Sequence, residues 1–227
     1  MGKTIIEMME QTPEGESRLF PAPNGRRTES RFFLPSASLD AVHAIVATSK
    51  NMKLRPRTKL RWAEEVSLWA DEAPNLKVKD RKENLKDFAR STGDAYCVSP
   101  RLAKFVEEFD PGSLSIRELD VTTKNGTVSR CLIMPKRSLS VVDTDFSDVE
   151  IVPFVDGKKG HAANFPGSVV FDAEGLDNLH VFSEIDTRKT FWSIELFRAL
   201  NKAGFNGFVA RRFDDSKGAD NLVDISS

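Results

Sequence analysis

One tyrosine, two cysteines and three histidines are little for 227 residues. Each scarcity closes a class of function. His43, His161 and His180 stand far apart and have no metal-ligand spacing. There is no Cys-x-x-Cys, no Gly-x-Ser-x-Gly, no Walker-type lysine loop and no Gly-x-Gly-x-x-Gly. The common signatures of zinc, hydrolase and nucleotide chemistry are therefore missing, and no cofactor is expected. No stretch approaches the ~20 apolar residues that span a bilayer. Glu7 and Glu10 stand where a signal peptide needs an apolar run, so a cytoplasmic location is expected. Cys97 and Cys131 sit in apolar, strand-like contexts and read as buried thiols rather than a disulfide.

What the chain does have is phenylalanine, 16 of them, and enough apolar residue to bury a sizeable core. It also has an uneven charge. Residues 1–90 carry 17 Lys and Arg against 13 Asp and Glu; the remainder carries 16 against 21. From Val141 to Asp186, ten acidic residues face only Lys158 and Lys159. Such a block reads either as a solvated surface or as an acidic face that steers a basic protein partner. Phosphate contact needs Lys and Arg, so nucleic acid does not suit that region. Lys50 to Arg61 is basic, but no aromatic residues interleave with it, so it reads as a solvated loop or strand edge.

One pattern occurs twice: Ala95 to Gly112 and Thr190 to Gly207. Each reads as a short apolar strand, a serine, a helix of about ten residues and a glycine-containing stop. Ser99 and Ser193 stand at N-cap positions, where a hydroxyl can accept from the free amides of the first turn. Pro100 takes the first helical position, where its missing N–H costs nothing. Leu102, Phe105, Val106 and Phe109 form one apolar stripe; Leu196, Phe197, Leu200 and Ala203 form another. Asp110-Pro111-Gly112 stops the first helix and Gly204 the second. Phe208 to Phe213 reads as a final strand.

Elsewhere the signals are shorter. Residues 1–17 read as polar and partly mobile. Arg18-Leu19-Phe20 and Arg31 to Pro35 read as extended, and Leu39 to Thr48 as a helix with His43 at its core edge. Leu60, Trp62, Val66 and Leu68 suggest strand. Leu76 to Arg90 is ambiguous, with strand at Leu76-Lys77-Val78 and helical spacing at Leu85 and Phe88. Asn125-Gly126 between apolar runs predicts a hairpin of Leu114 to Val121 with Val128 to Met134. Leu139 to Val142, Ser168 to Phe171 and His180 to Phe182 read as strands. Asp143 to Asn164 is polar and reads as a loop, and Asp214 to Ser227 as a frayed tail. Gly157-Lys158-Lys159-Gly160-His161 lacks the following apolar helix that a phosphate site needs.

Several of these stretches together resemble a bacterial family, the immunity proteins encoded beside polymorphic toxins. Val98-Ser99-Pro100-Arg101-Leu102 and Phe109-Asp110-Pro111-Gly112 match its helix and stop, and Lys86-Asp87-Phe88 its upstream aspartate–aromatic pair. Trp192-Ser193-Ile194-Glu195-Leu196 and Gly204-Phe205-Asn206-Gly207-Phe208 match its ending. The resemblance covers roughly residues 85–213. It implies a protein that binds and neutralises a cognate toxin, in interbacterial competition with type VI secretion as the route, and is not an enzyme. It carries over no catalytic residues.

The expected fold is α+β: a twisted, mainly antiparallel sheet packed by a few helices, with two similar strand–Ser–helix units. The expected division is an N-terminal region at 1–84, an immunity-type domain at 85–213 and a polar tail at 214–227. Asp145, Asp148, Glu150 and Asp156 are the candidate steering residues for the toxin, with Phe154 as anchor or as a core residue. No metal, membrane or nucleic acid is expected; self-association is left open. The alternative is a small hydrolase or nucleotide-modifying enzyme using His161 or His180 with nearby aspartates.

Overall fold

The computed structural model describes residues 3–25, 30–38, 45–47, 76–78, 85–90, 95–123, 126–154, 159–167, 169–172, 175–213 and 222–226. The expected strand at 60–68 and the basic run at 50–61 lie outside them. The fold is α+β, with few helices and mostly antiparallel sheets. In chain order the elements are α1 (Ile5–Glu10), β1 (Arg18–Phe20), β2 (Phe32–Ala37), β3 (Ile45–Ala47), β4 (Leu76–Val78), β5 (Phe88–Arg90) and β6 (Tyr96–Val98). Then come α2 (Pro100–Phe109), β7 (Leu114–Thr123), β8 (Gly126–Pro135), β9 (Ser138–Leu139), β10 (Val149–Pro153) and β11 (His161–Asn164). The chain closes with β12 (Val181–Glu184), β13 (Lys189–Ser193), α3 (Ile194–Lys202), β14 (Phe208–Arg211) and β15 (Leu222–Val223).

Three sheets result. A small one runs β1-β10-β11, a second β15-β14-β2-β13-β12-β9 and a third β3-β4-β7-β8-β6-β5. Among the described residues, only β9–β12 and β4–β7 pair in parallel. The second sheet is buried on both faces. Phe33, Val181 and Trp192 enter a core with α2 and α3, while Phe32, Phe182 and Phe191 enter another with α1 and the small sheet. Adjacent aromatics therefore point opposite ways, as the two-residue period of a strand requires. A third, smaller core of Cys97, Leu119, Val121, Leu132 and Met134 covers the far face of the third sheet. Cys97 and Cys131 are buried free thiols. No helix of the described residues is long and apolar enough to cross a membrane.

Both strand–Ser–helix units form. Ser99 Oγ accepts from Leu102 N and Ser193 Oγ from Leu196 N, each at 3.2 Å. At the end of α3, Gly204 takes φ +74; its N–H donates to Asn201 O and that of Phe205 to Leu200 O. These two bonds make the Schellman closure that the glycine allows. The β7–β8 hairpin pairs Leu114 with Pro135 through to Thr123 with Gly126.

Five expectations give way. Residues 4–10 are ordered: Thr4 and Glu7 form a capping box, and Ile5 and Met8 are buried. Within the helix expected at 39–48, Ile45–Ala47 is a strand paired with Leu76–Val78, which suits its β-branched pair; the rest, with His43, lies outside the described residues. Phe88–Arg90 is a strand, not a helical turn, because it pairs with Tyr96–Val98. The polar stretch 143–164 is not one loop, since β10 and β11 lie within it. The tail is not frayed throughout, because Leu222 and Val223 pair with Arg211 and Ala210.

Candidate functional site

Of the acidic candidates, Glu150 lies on β10, Asp148 immediately precedes it and Asp145 stands in the segment that leads to it. From Asp148 to Val152 the residues alternate, and Pro153 and Phe154 are both half-buried. Val149 and Ile151 are buried in the core shared with α1. Asp148, Glu150, Val152 and Phe154 have the opposite parity and are half-buried. On the neighbouring strands Leu19 stands opposite Glu150, and Asn164 and Ala162 stand opposite Glu150 and Val152. The outer face of the sheet thus carries an apolar strip of Leu19, Val152 and Ala162 with acidic groups beside it. Leu19 is 56% exposed, high for a leucine in a strand.

The acidic residues are not equivalent. Asp148 is partly structural: its Oδ1 accepts from Ala22 N at 3.0 Å and holds the turn after β1. Asp145 supports the same turn through its carbonyl, which accepts from Asn24 N at 3.0 Å, while its own N–H donates to Asp143 Oδ1. The Glu150 side chain makes no hydrogen bond or ion pair among the described residues, while its backbone is paired in the sheet. Phe154 is in none of the three cores; its ring lies against Gly160, where a Cβ would meet Cε2 at 2.9 Å. Asp156 lies outside the described residues. Glu184, counted in the acidic block, is fully buried and contributes nothing to a surface. The reading from sequence missed Leu19, Val152 and Ala162. Their signal was the polar–apolar alternation of Asp148 to Val152, hidden by the charge of the stretch around it.

The histidines are held differently from a catalytic pair. His161 Nε2 is 3.1 Å from Pro13 O, and His180 Nδ1 is 2.7 Å from Ser193 Oγ. Ser193 resembles an activated nucleophile only by that distance. It is fully buried and its oxygen caps α3, so no substrate reaches it. Burial lowers the His180 pKa, and the nearby Asp110 carboxylate opposes that shift. Asp110 does not bond the ring. Its Oδ2 accepts from His180 N and Val181 N, each at 2.9 Å, and its Oδ1 from Arg137 at 2.6 Å. The helix stop thus also fastens α2 to β12. Among the described residues, no group of three His, Cys, Asp or Glu side chains could hold a metal ion.

The family-like motifs meet at one place, which is structural. Asp87 Oδ1 accepts from Ser99 Oγ at 2.7 Å, and Oδ2 accepts from Asn206 N at 3.2 Å and from Arg101 at 3.4 Å. Asp87 N donates back to Asn206 Oδ1. Gly207 fits there because a Cβ would lie 2.5 Å from Lys86 Cβ and Phe88 O. The Arg101 guanidinium covers the Phe205 ring at 4.1 Å. These motif residues join the two strand–Ser–helix units. Their contacts hold the fold together.

A model of the immunity protein family (Imm11) matches residues 29–215. No curated protein matches the chain.

Proposed function

The chain belongs to the Imm11 immunity protein family, and from that premise we propose that it binds and neutralises a cognate toxin, in the cell that makes the toxin or in kin. The match over residues 29–215 carries this reading. We read the protein as an inhibitor acting by contact rather than as a catalyst, in interbacterial competition and in the cytoplasm. The division at residues 84 and 213 remains our proposal for how the chain is organised, with type VI secretion as the proposed route of the toxin.

The contact surface we propose is the outer face of β1, β10 and β11. Specific inhibition needs roughly 800 Å² per partner with a few buried anchors. The apolar strip with Leu19 and Phe154 supplies anchors. Glu150, Asp148 and Asp145 supply a negative rim that steers a basic toxin surface, and Asp156 is proposed with them from the sequence. The outward alternation of Asp148, Glu150, Val152 and Phe154 supports this choice. Co-expression with the neighbouring gene's product tests the role itself: wild-type protein should restore growth and be retained with the toxin. Toxin that still arrests growth, with no complex formed, would refute it.

A further inference from the structure

Glu184 ends β12 and is 0% exposed, on the side of the strand that carries Phe182. Backbone amides, not a cation, satisfy its carboxylate. Oε2 accepts from Thr187 N at 2.6 Å and Oε1 from Val141 N at 3.4 Å. The first contact closes the four-residue tip 185–188 between β12 and β13. The second ties that tip to the chain leaving β9. Two more contacts join the same pieces: Ile185 N donates to Leu139 O at 2.8 Å, and Ser140 Oγ to Asp186 Oδ2 at 2.7 Å. The tip is constrained, since Arg188 has φ +55, a left-handed value that a side chain disfavours. It also presents Ile185, half exposed, to solvent.

From these contacts we infer that the Glu184 carboxyl is a proton-operated latch between the β12–β13 tip and the 139–141 segment. Ionised, it accepts from both amides. Protonated, one oxygen carries an O–H that donates, and that oxygen becomes a much poorer acceptor for an N–H. The long contact to Val141 is the one given up, because the bond to Thr187 is short and lies within the turn. Val141 leads directly to Asp143 and Asp145, so proton uptake loosens the segment that enters the acidic rim. The charged groups around the carboxyl are few. Asp186 faces it from the tip, and Lys189 is its register partner on β13 but exposed. Arg188 is exposed on the tip, and Arg137 is engaged with Asp110. None of these cations bonds to Glu184. Burial first, with the charge of Asp186 adding to it against the pull of the amide donors, raises the carboxyl pKa to about 7. Both states are then populated near neutrality.

The test is an NMR titration of the full chain, following the Glu184 carboxyl carbon and the amides of Val141 and Thr187. The carboxyl should titrate near neutrality, and the Val141 amide should move with the same midpoint. Asp186→Asn should lower that midpoint, and Glu184→Gln should abolish the Val141 transition. A carboxyl that titrates at the ordinary glutamate value of about 4.3, or a Val141 amide that ignores it, overturns the latch. Should Glu184→Gln fail to fold, the wild type and Asp186→Asn still decide.

Discussion

Asp87 ties together segments far apart in the chain. Its carboxylate accepts from a side chain 12 residues away and a backbone amide 119 residues away. Removing it leaves Ser99 and Asn206 N without their partner in a half-buried place. Asp87→Ala should therefore cost about 2 kcal/mol in urea unfolding. Ser99→Ala and Ser193→Ala each remove one cap bond and should cost about 1 kcal/mol. Gly207→Ala is more severe, because its φ is +91 and the new methyl meets the Phe88 carbonyl at 2.5 Å. A loss above about 2 kcal/mol, or failure to fold, is expected. The serine caps were legible in the sequence because their bonds span three residues. The Asp87–Asn206 pair was not, since nothing local marks a partner so distant. Asp110 was read as a helix stop; its bonds to His180 N and Val181 N were hidden for the same reason.

At the scale of the element, β10 decides the account. Its inward side chains hold the core, and its outward ones form the contact face we propose. Ile151→Ala should cost about 2–5 kcal/mol, as a large-to-small change in a packed site. Glu150→Lys should change stability by no more than about 0.5 kcal/mol, because the side chain bonds nothing among the described residues. Parallel urea curves of the two variants separate these roles. The strand was misread because net charge outweighed a five-residue alternation. The helices α2 and α3 were read correctly because their stripes are long and their caps explicit. α1 was missed because it is only six residues long, too short for a visible stripe, although Thr4 and Glu7 spelled its capping box. In the second sheet no alternation was available, since both faces of β12 and β13 are buried.

At the scale of the molecule, the buried Glu184 makes stability depend on pH. Its pKa is raised from 4.5 to about 7 in the folded state, so the folded protein binds that proton more tightly than the unfolded chain. The stabilisation is present below about pH 4.5 and is lost as pH rises through about 7. The shift corresponds to a difference on the order of 3 kcal/mol across that window. It should appear as the difference between wild type and Glu184→Gln in thermal unfolding, with the variant flatter between those pH values. The layered arrangement, with a second sheet buried on both faces, leaves the small sheet outermost on its side. That placement is why we propose its outer face as the contact surface.

The most direct measurement is association of the purified protein with its cognate toxin, comparing wild type, Glu150→Lys and Phe154→Ala. Glu150→Lys should slow association about tenfold at low salt, an effect that added salt removes. Phe154→Ala should speed dissociation and weaken protection from growth arrest, with both variants folded. If both variants bind and protect as the wild type does, the outer face of the small sheet is not the working surface.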